Sequence, residues 1–113
     1  MSTLTDKTGA AVTVSENADK SRYEVSTEGT MAGFTAYADR GDQRIFYHTE
    51  VSPEFGGRGL GTILIEQALT DVRAQGKRVV GVCPMVAAYL TKHHDFDDIT
   101  DPVTPEILAY LKA

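Results

Sequence analysis

The spacing of apolar positions changes along this chain, and each change marks an element. Val12 and Val14 alternate with polar residues, as do Tyr23 and Val25, and Asn17-Ala18-Asp19 between them has the composition of a turn, which predicts a hairpin. Ala32, Phe34, Ala36 and Ala38 form one face of a third strand, and Gly41-Asp42 turns the chain into a fourth, Arg44-Ile45-Phe46-Tyr47-His48-Thr49-Glu50-Val51. From Leu60 the period lengthens. Leu60, Ile63, Leu64, Ala68, Leu69 and Val72 fall on one helical stripe, while Glu66, Gln67, Asp71 and Arg73 face away. Gly76 suits the left-handed residue that ends this helix, and Lys77-Arg78 lead into Val79-Val80-Gly81-Val82-Cys83, a strand apolar on both faces and hence interior. Pro84 fits the first turn of a helix carrying Val86, Tyr89 and Leu90, and Thr104-Pro105-Glu106 caps and starts a last short one. The predicted order is ββββαβαα, an α/β (α+β) fold with antiparallel N-terminal strands followed by a strand-helix-strand unit.

A length of 113 residues fits one domain. Residues 1–11, rich in Ser, Thr, Asp and Lys, read as a flexible tail, and residues 12–113 as the domain. With 42% hydrophobic and 24% charged residues the composition is globular. The longest apolar runs fall far short of the roughly 20 residues a membrane span needs. The first residues also lack the basic and apolar regions of a leader, so a cytoplasmic protein without a membrane partner is expected. A net charge of −5 disfavours nucleic acid and favours a cationic substrate. Cys83 is the single cysteine, so no disulfide within the chain is available.

The composition changes most sharply at Phe55-Gly56-Gly57-Arg58-Gly59-Leu60-Gly61. Such glycine density lets the backbone adopt positive φ and approach a ligand closely, and a helix opening there turns its unpaired N–H groups and dipole toward an anion. Arg58 adds a full charge. A dinucleotide fingerprint is excluded, because Gly-x-Gly-x-x-Gly read from Gly57 or Gly59 ends on Thr62 or Leu64. A nucleotide P-loop is excluded too, because Gly61 is followed by Thr62-Ile63 rather than Lys-Ser/Thr. A strand ending Val51-Ser52-Pro53, the turn, and an amphipathic helix resemble the acetyl-CoA signature of the GNAT N-acetyltransferase superfamily. His48-Thr49-Glu50-Val51, the strand ending Cys83-Pro84, Tyr89 and His93 extend the resemblance, over most of residues 21 to 96, to its small single-domain branch of predicted acetyltransferases. Gly56 stands where the wider superfamily usually has Gln or Arg.

The resemblance implies a mixed GNAT-like sheet and acetyl-CoA as co-substrate, without a metal. It implies a cofactor site of Val51, Phe55, Gly56, Gly57, Arg58, Gly59, Leu60, Gly61 and Thr62. It also implies that the strands ending at Val51 and Cys83 splay around the pantetheine arm, with a backbone N–H near Val51 facing the oxyanion. An alkylamine acceptor with pKa near 10.4 must lose a proton, at a cost on the order of 4–5 kcal/mol at neutral pH. Glu50 and His48, on one face by strand alternation, are the candidate bases, with a polar sheet surface as the ordinary alternative. Cys83 is either a small core residue or, at a strand end before a helix, a neighbour of the thioester or an acyl carrier. Tyr89 is either a core aromatic or the acid that protonates the departing thiolate. His93-His94-Asp95 with Asp97, Asp98 and Asp101 lacks metal-site spacing, and Lys92 and His93 are candidates for the last helical carbonyls or the cofactor phosphates. The reading is an N-acetyltransferase acting on a primary amine, of a small molecule or a protein lysine. The alternative is a CoA-binding module acting as a sensor or assembly subunit. Val25 to Thr30 joins two strands by a tight turn only, leaving an open acceptor side that a homodimer could wall.

Overall fold

The computed structural model describes Leu4, Thr5 and residues 8–112. Seven strands form one sheet whose spatial order follows the chain: β1 (Leu4–Thr5), β2 (Ala11–Asn17), β3 (Arg22–Thr27), β4 (Thr30–Arg40), β5 (Gln43–Val51), β6 (Arg78–Gly81) and β7 (Thr100–Asp101). The first four pairings are antiparallel, and β5–β6 and β6–β7 are parallel. Three helices complete it: α1 (Leu60–Ala74), α2 (Pro84–Lys92) and α3 (Pro105–Lys112). The mixed sheet and element order agree with the sequence reading, with β1 and β7 added. Of the expected tail, residues 1–3, 6 and 7 lie outside the described residues, while Leu4 and Thr5 pair with Val12 and Ala11. No helix among the described residues is long and apolar enough to cross a membrane.

The long stripe of α1 buries Leu60, Leu64, Ile65, Ala68, Leu69 and Val72 against Val12, Tyr23, Val25, Tyr37 and Phe46 of the sheet. Gly76, at φ +72°, ends that helix as its left-handed stop. On the opposite face α3 packs Ile107 and Leu111 against Ile45, Val80 and Val82. Thr104 starts it by accepting the Ile107 N–H at 3.2 Å. Among the described residues no other helix packs on that face.

Ala32, Phe34, Ala36 and Ala38 do not form one face. The register shift opposite Val25/Ser26 leaves Ala32 unpaired between Met31 and Gly33 and interrupts the period of two there. Ala32 joins the core beneath α1, whereas Phe34 and Ala36 pair with Glu50 and His48 on the uncovered face. There the Phe34 ring lies 5.9 Å from His48 and 4.5 Å from the Arg22 guanidinium.

A polar cluster crosses the sheet at the end remote from the glycine turn. Arg44, 4% exposed, donates to both Asp39 oxygens at 2.9 and 3.0 Å, to Glu16 at 3.1 Å and to the Tyr23 hydroxyl at 2.8 Å. Tyr23 in turn donates to Asp71 of α1 at 2.6 Å. Burial opposes the guanidinium charge, but the hydrogen bonds with Asp39 and Tyr23 outweigh it and raise the Arg44 pKa. The same bonds hold Asp39 below the usual carboxylate range, as Arg22 does Glu24, and Gln43 with Arg78 does Asp101. A carboxylate with a depressed folded pKa contributes stability that is present above its unfolded pKa, near pH 4, and lost as pH falls through the folded value. Thermal unfolding followed from pH 7 to pH 2 is therefore expected to show a melting temperature that declines below about pH 4. A melting temperature that rises on acidification would contradict these pairings.

Candidate active site

The parallel pairing of β5 with β6 stops at Phe46 and Gly81, and both the Val82 and Cys83 N–H groups go to the Phe46 carbonyl, at 3.0 and 2.9 Å. Two local features end the ladder there. Pro84 has no N–H to continue it, and the bulge in β5 inserts Tyr47 between the paired residues Phe46 and His48. Beyond this point no backbone hydrogen bond joins the two segments among the described residues, and β6 ends at Gly81 rather than at Cys83 as expected, because Cys83 instead caps α2. On β5 the Ser52 N–H bonds the Ala32 carbonyl at 2.8 Å. Antiparallel alternation then directs the Glu50 amide toward β4 and the Thr49 and Val51 amides into the split.

Two cavities border this split, with Met85 on the lining of both. One, of about 420 Å³, lies between the glycine turn, the first turn of α1 and the side of α2. Of the nine residues expected around the cofactor, all but Arg58 line it. Gly57 and Gly59 adopt φ +78° and +79°. Gly59 is the N-cap and offers no side chain, and the first helical bond runs from Ile63 N–H to the Gly59 carbonyl. The N–H groups of Leu60, Gly61 and Thr62 therefore precede the helical ladder, in the arrangement that receives an anion. This cradle fits a pyrophosphate. Arg58 turns elsewhere: its guanidinium lies 5.4 Å above the Phe55 ring and 3.8 Å from the Glu28 carboxylate. The end of α2 contributes Lys92, a positive side chain, and His93 to the lining beside Tyr89. Met85 and Ala88, which the spacing of glycines does not reveal, complete the α2 wall.

The second cavity, of about 440 Å³, is lined by Tyr47, His48, Thr49, Cys83, Pro84 and Met85. Cys83 is buried at 2% exposure, and its thiol sulfur lies 3.0 Å from the Thr49 hydroxyl, which is 2.9 Å from that of Thr35. The same sulfur caps α2, accepting the Val86 N–H at 3.5 Å. His48 is on this lining and Glu50 is not. The two side chains meet on the uncovered sheet face, with His48 Nε2 3.6 Å from Glu50 Oε1. Tyr89 belongs to the first cavity. Its ring stacks on His93 at 4.5 Å and lies 6.4 Å from Phe96, and burial raises its phenol pKa. His94 pairs with Asp97 and Arg73 with Asp98, and no cluster of three metal-ligating side chains occurs among the described residues.

Comparison with known proteins places this architecture. No curated protein matches the sequence significantly. A GCN5-like protein of Staphylococcus aureus, solved in solution by NMR, superposes with a TM-score of 0.63 at 18% identity, over 82% of this chain and 91% of its own. The ribosomal-protein-S18-alanine N-acetyltransferase of Escherichia coli reaches 0.49 at 22% identity, over 51% of this chain and 38% of its own. A GNAT-family protein of Desulfovibrio desulfuricans reaches 0.46 at 26% identity, over 51% and 40%. The first likeness establishes the shared fold. The sequence profile of the GCN5-related N-acetyltransferases matches residues 22–99, a span that holds β3 to β6, the glycine turn, the linings of both cavities and α2. On that match the chain belongs to the GCN5-related N-acetyltransferase family.

Proposed function

We propose that this protein transfers the acetyl group of acetyl-CoA to a primary amine. The observation that carries the reading is a glycine-turn cavity, suited to a pyrophosphate, that shares its Met85 wall with a second cavity where the pairing of β5 and β6 stops. The cofactor supplies the activated thioester, so the chain has to orient the amine and stabilise charge. The amine nitrogen attacks the thioester carbonyl, and the Val51 amide, directed into the split, donates to the oxyanion. Collapse expels the CoA thiolate. Of the two candidate bases, His48 is favoured because it lines the second cavity, and Glu50 acts as its positioning partner. Tyr89 is retained as donor to the thiolate, since burial keeps its phenol protonated. Cys83 forms the wall beside the thioester, its sulfur engaged by Thr49 and the first turn of α2.

The acceptor side favours a flexible lysine side chain of a protein over an enclosed metabolite. Glu28 and Gly29, at φ 54° and 80°, connect β3 to β4 by a two-residue turn, so no inserted helix closes the site there. Calorimetry with acetyl-CoA, followed by acetyl transfer to a panel of amines and lysine peptides, tests the reading. Wild-type protein is expected to bind and to transfer. His48→Ala is expected to bind acetyl-CoA as well and to lose about a hundredfold in kcat/KM. Binding without transfer to any acceptor would instead describe a CoA-binding module, and no binding would remove both.

A further inference from the structure

Gly61 sits in the first turn of α1 with no positive φ, so its backbone does not call for glycine. Alanine is favoured over glycine by about 1 kcal/mol within helices. What distinguishes the position is space. A Cβ added there would lie 3.2 Å from Met85 Sδ, 3.9 Å from Met85 Cε and 3.7 Å from Val51 Cγ2. The Met85 thioether therefore crosses from α2 to rest over Gly61, beside the end of β5. Met85 is also the residue common to the linings of the two cavities, although 41% of it is exposed. A pantetheine arm running from a pyrophosphate on the glycine turn to a thioester beside Cys83 has to pass this side chain.

We propose that Gly61 and Met85 work as a pair that positions the pantetheine arm, Gly61 being a recess and Met85 a movable divider. Methionine suits the task because its unbranched chain changes shape easily and its thioether packs against varied apolar groups. With the recess open, the thioether lies flat over Gly61 and the corridor between the cavities is passable. A methyl group in the recess lifts the thioether into the corridor. Gly61 then serves the arm through Met85 by its missing side chain, a task separate from the N–H it offers to an anion alongside Leu60 and Thr62. The inference rests on CoA occupying the glycine-turn cavity.

The test is a double-mutant cycle read by calorimetry on the full chain, with Gly61→Ala, Met85→Ala and the double variant. Each protein is titrated with CoA and with 3′-phosphoadenosine 5′-diphosphate, the same nucleotide without its arm. The ratio of the two dissociation constants isolates the arm. Gly61→Ala is expected to raise the dissociation constant for CoA relative to that for the nucleotide about tenfold when Met85 is present and less than about twofold when residue 85 is alanine. Its melting temperature is expected to match or exceed wild type, which separates the effect from unfolding. An equal loss in both backgrounds would show that the glycine serves the cofactor directly and would overturn the pair while leaving the cofactor site standing. No loss in either background would overturn it as well. Wild-type protein that binds neither compound would remove the cofactor site and the pair together.

Discussion

Asp39→Ala is expected to cost about 3 kcal/mol of folding stability, the low end of the range for removing one partner of a buried ion pair. The residue that suffers is Arg44, whose side chain is 5% exposed and whose bidentate partner would be gone. Glu16 and the Tyr23 hydroxyl would remain, but they face one edge of the guanidinium only through NH1. Arg44→Met is expected to cost less, about 1–2 kcal/mol, because the groups it abandons have access to water. Asp39 and Glu16 side chains are 40% and 26% exposed, and Tyr23 keeps its bond to Asp71. Removing the acid thus harms the fold more than removing the base. Urea unfolding at pH 7 measures both: the midpoints should fall in that order with unchanged slope, and the reverse order would refute the assignment of the buried charge to Arg44.

Gly33→Ala is expected to be comparably severe, about 2–3 kcal/mol, for a steric reason. A Cβ at Gly33 would press on the Glu50 carbonyl oxygen, well inside contact distance, and would stand 3.0 Å from Val51 Cα and 3.1 Å from Val51 Cγ2. Two of these three neighbours are backbone atoms of β5, paired with β4 across this register, and they have no rotamer by which to yield. The strand itself has to move. Because Val51 lines the glycine-turn cavity proposed for acetyl-CoA, the variant should also bind acetyl-CoA more weakly than its loss of stability alone explains. Calorimetry well below the melting temperature separates the two effects. A variant with wild-type stability would show that β4 and β5 are less closely apposed than this.

Most of the architecture was legible in the sequence because its elements are long enough to carry a period. The α1 stripe, the alternation at Tyr23 and Val25, and the apolar run at Val79 and Val80 all lie where their spacing put them. β7 escaped because two residues, Thr100 and Asp101, cannot display alternation. The face of β4 was misread for a different cause. An inserted residue at a bulge leaves composition untouched but reverses every later side chain, so Phe34 and Ala32 part company. At the candidate site, the glycine turn and the Cys83-Pro84 corner announce themselves through backbone chemistry. Side-chain directions do not. Arg58 chooses Phe55 and Glu28 over the cavity, and Met85 reaches the corridor from a helix otherwise notable for Val86 and Tyr89, because both depend on neighbours distant in sequence.

The in-line order of the strands has a kinetic consequence. Pairings from β1 to β5 each join segments adjacent in the chain, so their loop closures are short and cost little entropy. The β5–β6 pairing must instead close a long excursion through the glycine turn and α1, for a ladder of four residue pairs. Contacts of such sequence separation are the slow ones to form. The antiparallel meander can therefore assemble before the cleft exists, and the cleft is a seam between an early unit and a late one. A ligand lodged in that seam touches both units and so is expected to stabilise the late pairing against the early one.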